Sequence, residues 1–135
     1  MDTASVLTLR LAEGFGLYLV AVGAGALIAP DRWRAIGDEF ERSPGLTLIT
    51  GVVGFAFSAL IFGVHHSLTD PLAVVITIFG AVGALEGLLL LAAPQALVGI
   101  SRFAFARPQL WSIVALLVGA ALFIAGLTGH ATATL

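Results

Sequence analysis

Residues 71–94 read PLAVVITIFGAVGALEGLLLLAAP, and Glu86 is the only charged residue between the two prolines. An uninterrupted apolar run of this length is enough for a helix that crosses a hydrocarbon core of about 30 Å. Glu86 stands eight residues before Pro94, so it falls inside that span. The stretch therefore predicts a membrane helix with an ionisable side chain some way inside the bilayer.

The rest of the chain has the same character. Its 135 residues are 59% hydrophobic and only 10% charged, and the mean hydropathy is +1.09. A soluble domain carries about 25% charged residues, so this composition is typical of a membrane protein. The net charge of −2 offers no basic surface for nucleic acid. Cysteine is absent, which excludes disulfides and thiolate metal sites.

Four apolar runs are each long enough to span a membrane. A chain in lipid must satisfy its own backbone hydrogen bonds, so we expect four helices. We read the chain as a single all-α membrane domain over residues 1–135, with Asp2 in place of the basic start of a cleavable signal. The predicted spans are Val6–Ala29, Leu46–Val64, Pro71–Ala93 and Leu110–Leu127.

Two amphipathic segments, Asp31–Ser43 and Gln95–Arg107, connect spans one to two and three to four. They resemble helices that lie in the headgroup layer, although ordinary loops are the alternative. Positive-inside reasoning puts both connections in the cytoplasm and both termini outside. The two segments hold five of the six arginines, namely Arg32, Arg34, Arg42, Arg102 and Arg107.

A shift of 64 residues superimposes the sequence on itself without a gap. It pairs Pro30 with Pro94, Pro44 with Pro108, Gly16 with Gly80, Gly23 with Gly87 and His66 with His130. The pattern predicts two tandem helical-hairpin repeats, at about residues 6–66 and 70–130. Because each repeat holds two spans, the copies share one orientation and an axis along the membrane normal.

Each hairpin carries one short pattern: Glu-Gly in the first helix, a proline, an aromatic residue and a second proline. The second repeat matches it at Glu86, Gly87, Pro94 and Pro108, with Leu97 at the aromatic position. The first repeat matches it at Gly23, Pro30, Trp33 and Pro44, with Val22 in place of the Glu. By this pattern each hairpin resembles the YjeT-like family of small bacterial inner-membrane proteins, whose function is unknown. The resemblance implies a fold and a bacterial inner-membrane location, and no activity. A four-helix DoxX-like protein is the alternative, on span number and glycine content.

Small residues are expected to mark the faces on which the helices pack, since association in lipid depends on close backbone approach. The alternative is that glycine is merely tolerated in membrane spans. Span one has two such stripes, Gly16 with Gly23 and Gly14 with Gly25, on opposite faces. A helix with two tight faces predicts an oligomer or a place in a larger membrane complex. The other candidate packing residues are Gly51, Gly54, Gly80, Gly83, Gly87 and Gly119.

Glu86 is the first candidate for function, since an ionisable group inside a membrane usually has one. It flanks the glycine stripe of its span, so we expect it to point toward a helix contact. It then either clamps neighbouring helices or serves as an ion or proton site.

The histidines are expected at the outer surface. His66 and His130 are weaker candidates for a metal or redox site, because no ligand spacing supports one.

The leading hypothesis is a structural, accessory or self-assembling membrane subunit that uses its glycine-lined faces. The alternative is a small oligomeric transporter or channel with Glu86 as its coupling group. No catalytic motif, metal site or cofactor site is recognisable, and the bilayer is the expected environment.

Overall fold

The computed structural model describes residues 3–129, and side chains from residue 5 onward. This part of the chain contains six helices joined by short connections, and no strand. Four of its helices are long and apolar enough to cross a membrane, which confirms the all-α membrane class. The predicted connecting segments are both helical. In chain order the six helices are α1 Thr3–Ile28, α2 Pro30–Arg42, α3 Pro44–Val64, α4 Pro71–Ala92, α5 Pro94–Phe105 and α6 Pro108–Thr128.

Proline sets the start of every helix after the first. All five prolines of the chain occupy the first position of a helix, where the missing N–H has no intrahelical partner to lose. The residue before each proline is disfavoured in the helical region. Ala29 and Ala93 accordingly leave it, with φ of −132° and −146°. Each proline therefore starts a new helix, and Pro30 and Pro94 also end the one before it.

Side-chain caps support two of these starts. The Oγ of Ser43 accepts a hydrogen bond from the Leu46 amide at 3.1 Å, and Oδ1 of Asp70 accepts one from the Leu72 amide at 3.0 Å. Such caps satisfy amide groups that the first turn of a helix leaves free.

The spans pack as two antiparallel pairs, α1 with α6 and α3 with α4. Glycine allows both approaches. A Cβ atom at Gly119 would lie 2.8 Å from the carbonyl oxygen of Gly16, and one at Gly87 would lie 2.6 Å from the backbone nitrogen of Phe55. The backbones are thus too close for any larger residue at these positions. Close packing of this kind is what holds helices together in lipid.

The two pairs meet through α1 and α4 in the span region and through α2 and α5 at one end. Phe15 of α1 stacks on Phe79 of α4, with ring centroids 5.5 Å apart. Phe105 of α5 stacks on Trp33 of α2 at 5.9 Å. Nε of Arg102 in α5 also contacts the Glu41 carboxylate of α2 at 2.5 Å, although the exposure of both groups makes this ion pair worth little.

We expect Gly87→Ala to destabilise the fold by about 1–3 kcal/mol, because its methyl group would overlap the backbone of Phe55. Thermal unfolding in detergent micelles, followed by circular dichroism, measures the change. Gly63→Ala is the matched control, since a Cβ there meets nothing within 4 Å. The control should be neutral, or more stable by up to about 1 kcal/mol from helix propensity. Equal effects of the two variants would contradict the close α3–α4 contact.

Candidate functional site

The glycines predicted to pack divide into two groups. A Cβ atom at Gly54 would meet nothing within 4 Å, so Gly54 makes no close helix contact within the chain. It lies on the side of α3 that faces α1 across an open groove. Each of the other seven would place a Cβ atom against a neighbouring helix, and they are Gly16, Gly23, Gly51, Gly80, Gly83, Gly87 and Gly119.

Span one has only one of its two glycine faces in contact with another span. Gly16 and Gly23 lie against α6, whereas Gly14 faces open space. Gly25, on the same side as Gly14, has Trp33 of α2 as its one near neighbour among the described residues, at 3.9 Å from a Cβ atom. The second face is therefore available to a molecule outside the chain.

Glu86 is exposed on α4. We expected it to point toward a helix contact, but its side chain is exposed in the part of the chain that the structure describes. Among residues 5–129, none forms a hydrogen bond or an ion pair with its carboxyl group. The physical reason is the rotation of α4 about its axis, which directs Gly87 into the contact with α3. Glu86, the residue before Gly87, is then about 100° away around the helix.

The weaker histidine site gains no second ligand from the described residues. His66 is exposed, and its Nδ1 lies 3.2 Å from the carbonyl oxygen of Phe62. His130 lies outside the described residues. Within the described part, no three His, Cys, Asp or Glu side chains come together as a metal site requires.

His65 is a candidate functional residue whose buried environment could not be predicted from the sequence. We expected all the histidines at the outer surface, yet His65 is fully buried. Its Nε2 lies 2.6 Å from Oγ1 of Thr8 in α1, and its Nδ1 lies 3.2 Å from Oγ1 of Thr77 in α4. One imidazole thus joins the end of α3 to two other spans.

The hydrogen bonds define which ring nitrogen of His65 carries the proton. The Thr77 hydroxyl donates to the carbonyl oxygen of Ser67 at 2.9 Å, so it accepts from the Nδ1–H of His65. Nε2 is then the acceptor, and the Thr8 hydroxyl donates to it. A neutral imidazole satisfies this arrangement, and we assign that tautomer from the network.

Burial lowers the pKa of His65 below its ordinary value. A backbone hydrogen bond partly opposes the shift, and charge on the neighbouring His66 adds to it. Protonation would place a positive charge where water cannot reach it, and the neutral ring is the better fit for the hydroxyl partners. The cluster is therefore a structural junction that depends on an uncharged His65.

A small apolar cavity of about 250 Å³ lies where α1 and α6 meet the ends of α2 and α5. Trp33, Phe105 and Trp111 line it, and none of its lining residues is ionisable. It offers space for an apolar group, and its one hydroxyl side chain, Ser112, donates to the carbonyl oxygen of Gln109.

We expect acidification to destabilise the protein through His65. Its pKa is depressed in the folded state, so the unfolded chain binds more protons and stability rises with pH. The stabilisation that the neutral His65 provides is fully present above about pH 6.5, the pKa of histidine in the unfolded chain. It is lost as the pH falls toward the pKa of His65 in the folded protein. Thermal unfolding at pH 7.5 and 5.5 measures this change.

His65→Gln should flatten that pH dependence, whereas His66→Gln, at an exposed position, should keep it. The reverse result would show that the junction is not the titrating group. Thr8→Val provides a second check, since it leaves Nε2 without its donor and should cost about 1–3 kcal/mol.

Comparison of the chain with family models, with curated proteins and with solved structures finds no match. The resemblance of each hairpin to the YjeT-like family therefore remains a prediction, based on the glycine and proline positions together with Glu86.

Proposed function

We propose that this chain is a self-assembling or accessory subunit of a membrane complex, and that the α4 face carrying Glu86 is its contact surface. The proposal includes no catalysis. It rests on one observation, the exposed position of a carboxyl side chain inside a membrane span.

Depth makes the exposure of Glu86 costly. Glu86 stands six positions before Ala92, the last residue of α4. At a rise of 1.5 Å per residue, it lies about 9 Å from that end of the span. An acidic side chain at the centre of a membrane helix costs about 2.5–3.5 kcal/mol on insertion scales. A hydrogen bond from a neighbouring helix would offset part of this, at about 0.6–2 kcal/mol. Within the described chain no helix supplies that bond, so a partner is the natural source.

The surface around Glu86 suits a helix partner. Val75, Ile78, Val82 and Leu85 are all exposed on α4 and recur at helical spacing. Glu86 borders this stripe, next to Val82 around the helix. The surface therefore combines a continuous apolar face with a single polar group, and a partner helix that carries a hydrogen-bonding side chain would satisfy both.

Helix packing also supports the proposed duplication. The 64-residue shift exchanges α1 with α4 and α3 with α6, so it converts the α1–α6 pair into the α4–α3 pair. Phe15 and Phe79 are 64 residues apart and stack on each other, as two equivalent residues beside a two-fold axis would.

The orientation of the chain is a separate part of the proposal. Because the arginines concentrate in the two connections, we propose that both termini lie outside the cytoplasm of a bacterial inner membrane.

The duplication makes Glu86 a single-copy feature, since Val22 is its equivalent in the first repeat. One protomer then presents one polar contact surface. Such an arrangement favours a defined pairing over a symmetric two-carboxylate site.

We expect native mass spectrometry in mild detergent to show the wild type as an oligomer or with a co-purifying membrane protein. Glu86→Leu should abolish this association, because it removes the polar group from the interface. Glu86→Gln should largely retain it, since the amide keeps both a donor and an acceptor. The matched control is Glu39→Gln, which changes an exposed carboxylate on α2, outside the spans.

A strictly monomeric wild type with no companion would overturn the proposal. The transporter alternative predicts that Glu86→Gln abolishes function, whereas the assembly proposal predicts that this variant largely retains its association. If the wild type carries a proton or ion flux into liposomes and Glu86→Gln abolishes it, Glu86 is a coupling group and not an assembly contact.

A further inference from the structure

An open groove of about 720 Å³ runs between α1 and α3. Each of these helices packs on another span, α1 on α6 and α3 on α4, so the two do not close on each other. The groove walls are almost entirely apolar, with Phe15, Tyr18 and Phe57 among them. Its volume lies within the range of about 300–1,000 Å³ that is typical of small-molecule sites.

Two glycines keep the groove open. Gly14 of α1 and Gly54 of α3 both line it, and a Cβ atom at either position would meet nothing within 4 Å. The 64-residue shift places Ile78 and Val118 at the equivalent positions of α4 and α6. The chain therefore has small residues on this side of the bundle and branched residues on the other.

Arg10 gives the groove a cationic end. It lines the groove two residues along α1 from Thr8, whose hydroxyl contacts His65 just beyond the end of α3. Arg10 is thus close to the end of the bundle, where lipid headgroups lie. Its side chain is 71% exposed.

The guanidinium of Arg10 retains donors for a ligand. Both of its bonds to Glu13, at 3.1 and 2.9 Å, use Nη1. Within the described residues, Nε and Nη2 have no protein acceptor. Glu13 is only 19% exposed and lies toward Gly126 of α6, away from the groove. A phosphate can therefore bind the free edge of Arg10 without displacing Glu13.

We propose that this groove is a phospholipid-binding site, in which an acyl chain lies along Gly14 and Gly54 and the phosphate contacts Arg10. The lining favours an acyl chain, because the walls are almost entirely apolar and carry a single cationic side chain, at one end. The charge favours a phospholipid over an uncharged lipid, since basic groups between membrane helices recognise lipid phosphates. This site is separate from the Glu86 surface and does not depend on it.

The test measures lipid retention by native mass spectrometry of the full chain in detergent, with phosphatidylglycerol as the probe and diacylglycerol as its phosphate-free counterpart. We expect the wild type to retain one phosphatidylglycerol, and to prefer it over diacylglycerol by about tenfold. Arg10→Gln should remove that preference. Arg32→Gln, which changes an arginine of α2, should keep it.

Gly54→Leu should lower retention of both lipids by about tenfold, because the leucine side chain occupies the groove. Gly63→Leu is the matched control: it lies nine residues along α3, on the opposite face, and also has open space around its Cβ. Unchanged unfolding temperatures would show that both variants fold, and Gly54→Ala provides a milder substitution.

Two results would overturn the proposal. One is equal lipid retention by Gly54→Leu and the wild type. The other is efficient disulfide crosslinking of Phe57→Cys between two chains, which would show that a second copy covers the groove.

Discussion

The need to satisfy every backbone hydrogen bond inside lipid is the constraint on which this structure depends. It makes each span a helix, and proline decides where each helix after the first begins. Pro30 and Pro94 interrupt what would otherwise be long continuous helices, so that α2 and α5 change direction at the ends of α1 and α4. Because these breaks occur at the same end of the bundle, the aromatic side chains of α2 and α5 can stack there.

Inside the bundle, two kinds of contact replace the hydrophobic effect. Glycine contacts such as Gly16 with Gly119 bring backbones together over the length of a span, where dispersion forces act at short range. The His65 junction acts at one point, and it links three spans through hydroxyl groups. The first kind holds α1 against α6 and α3 against α4 along their lengths. The second fixes the position of the α3 end relative to α1 and α4, and it does so only while the imidazole is neutral.

The spans, their boundaries and the intervening helices could be predicted, because apolar length and proline position are local properties of the sequence. The pairing of α1 with α6 is not local, and a stripe of glycines does not say which helix it meets. His65 shows the same limit, since its partner Thr8 lies 57 residues away and nothing between them marks the contact. Glu86 lies on a membrane-length helix as predicted, but it is exposed where a helix contact was expected, because a helical wheel gives relative directions and not the rotation of the helix in the bundle.

Under the proposed duplication, residues that match between the two copies, such as Phe15 with Phe79 and Gly23 with Gly87, lie in contacts between helices. Two polar residues that occur in one copy alone face outward: Glu86 is exposed where the other copy has Val22, and Arg10 is exposed where the other copy has Val74. His65 also occurs once, since its equivalent is Gly129, but it is buried and its hydroxyl partners within the chain account for it. The described residues do not account for Glu86 and the free donors of Arg10 in this way, so we explain these two groups by what they bind. We therefore expect the two outer surfaces of this bundle to have different occupants, a protein partner beside α4 and a lipid between α1 and α3.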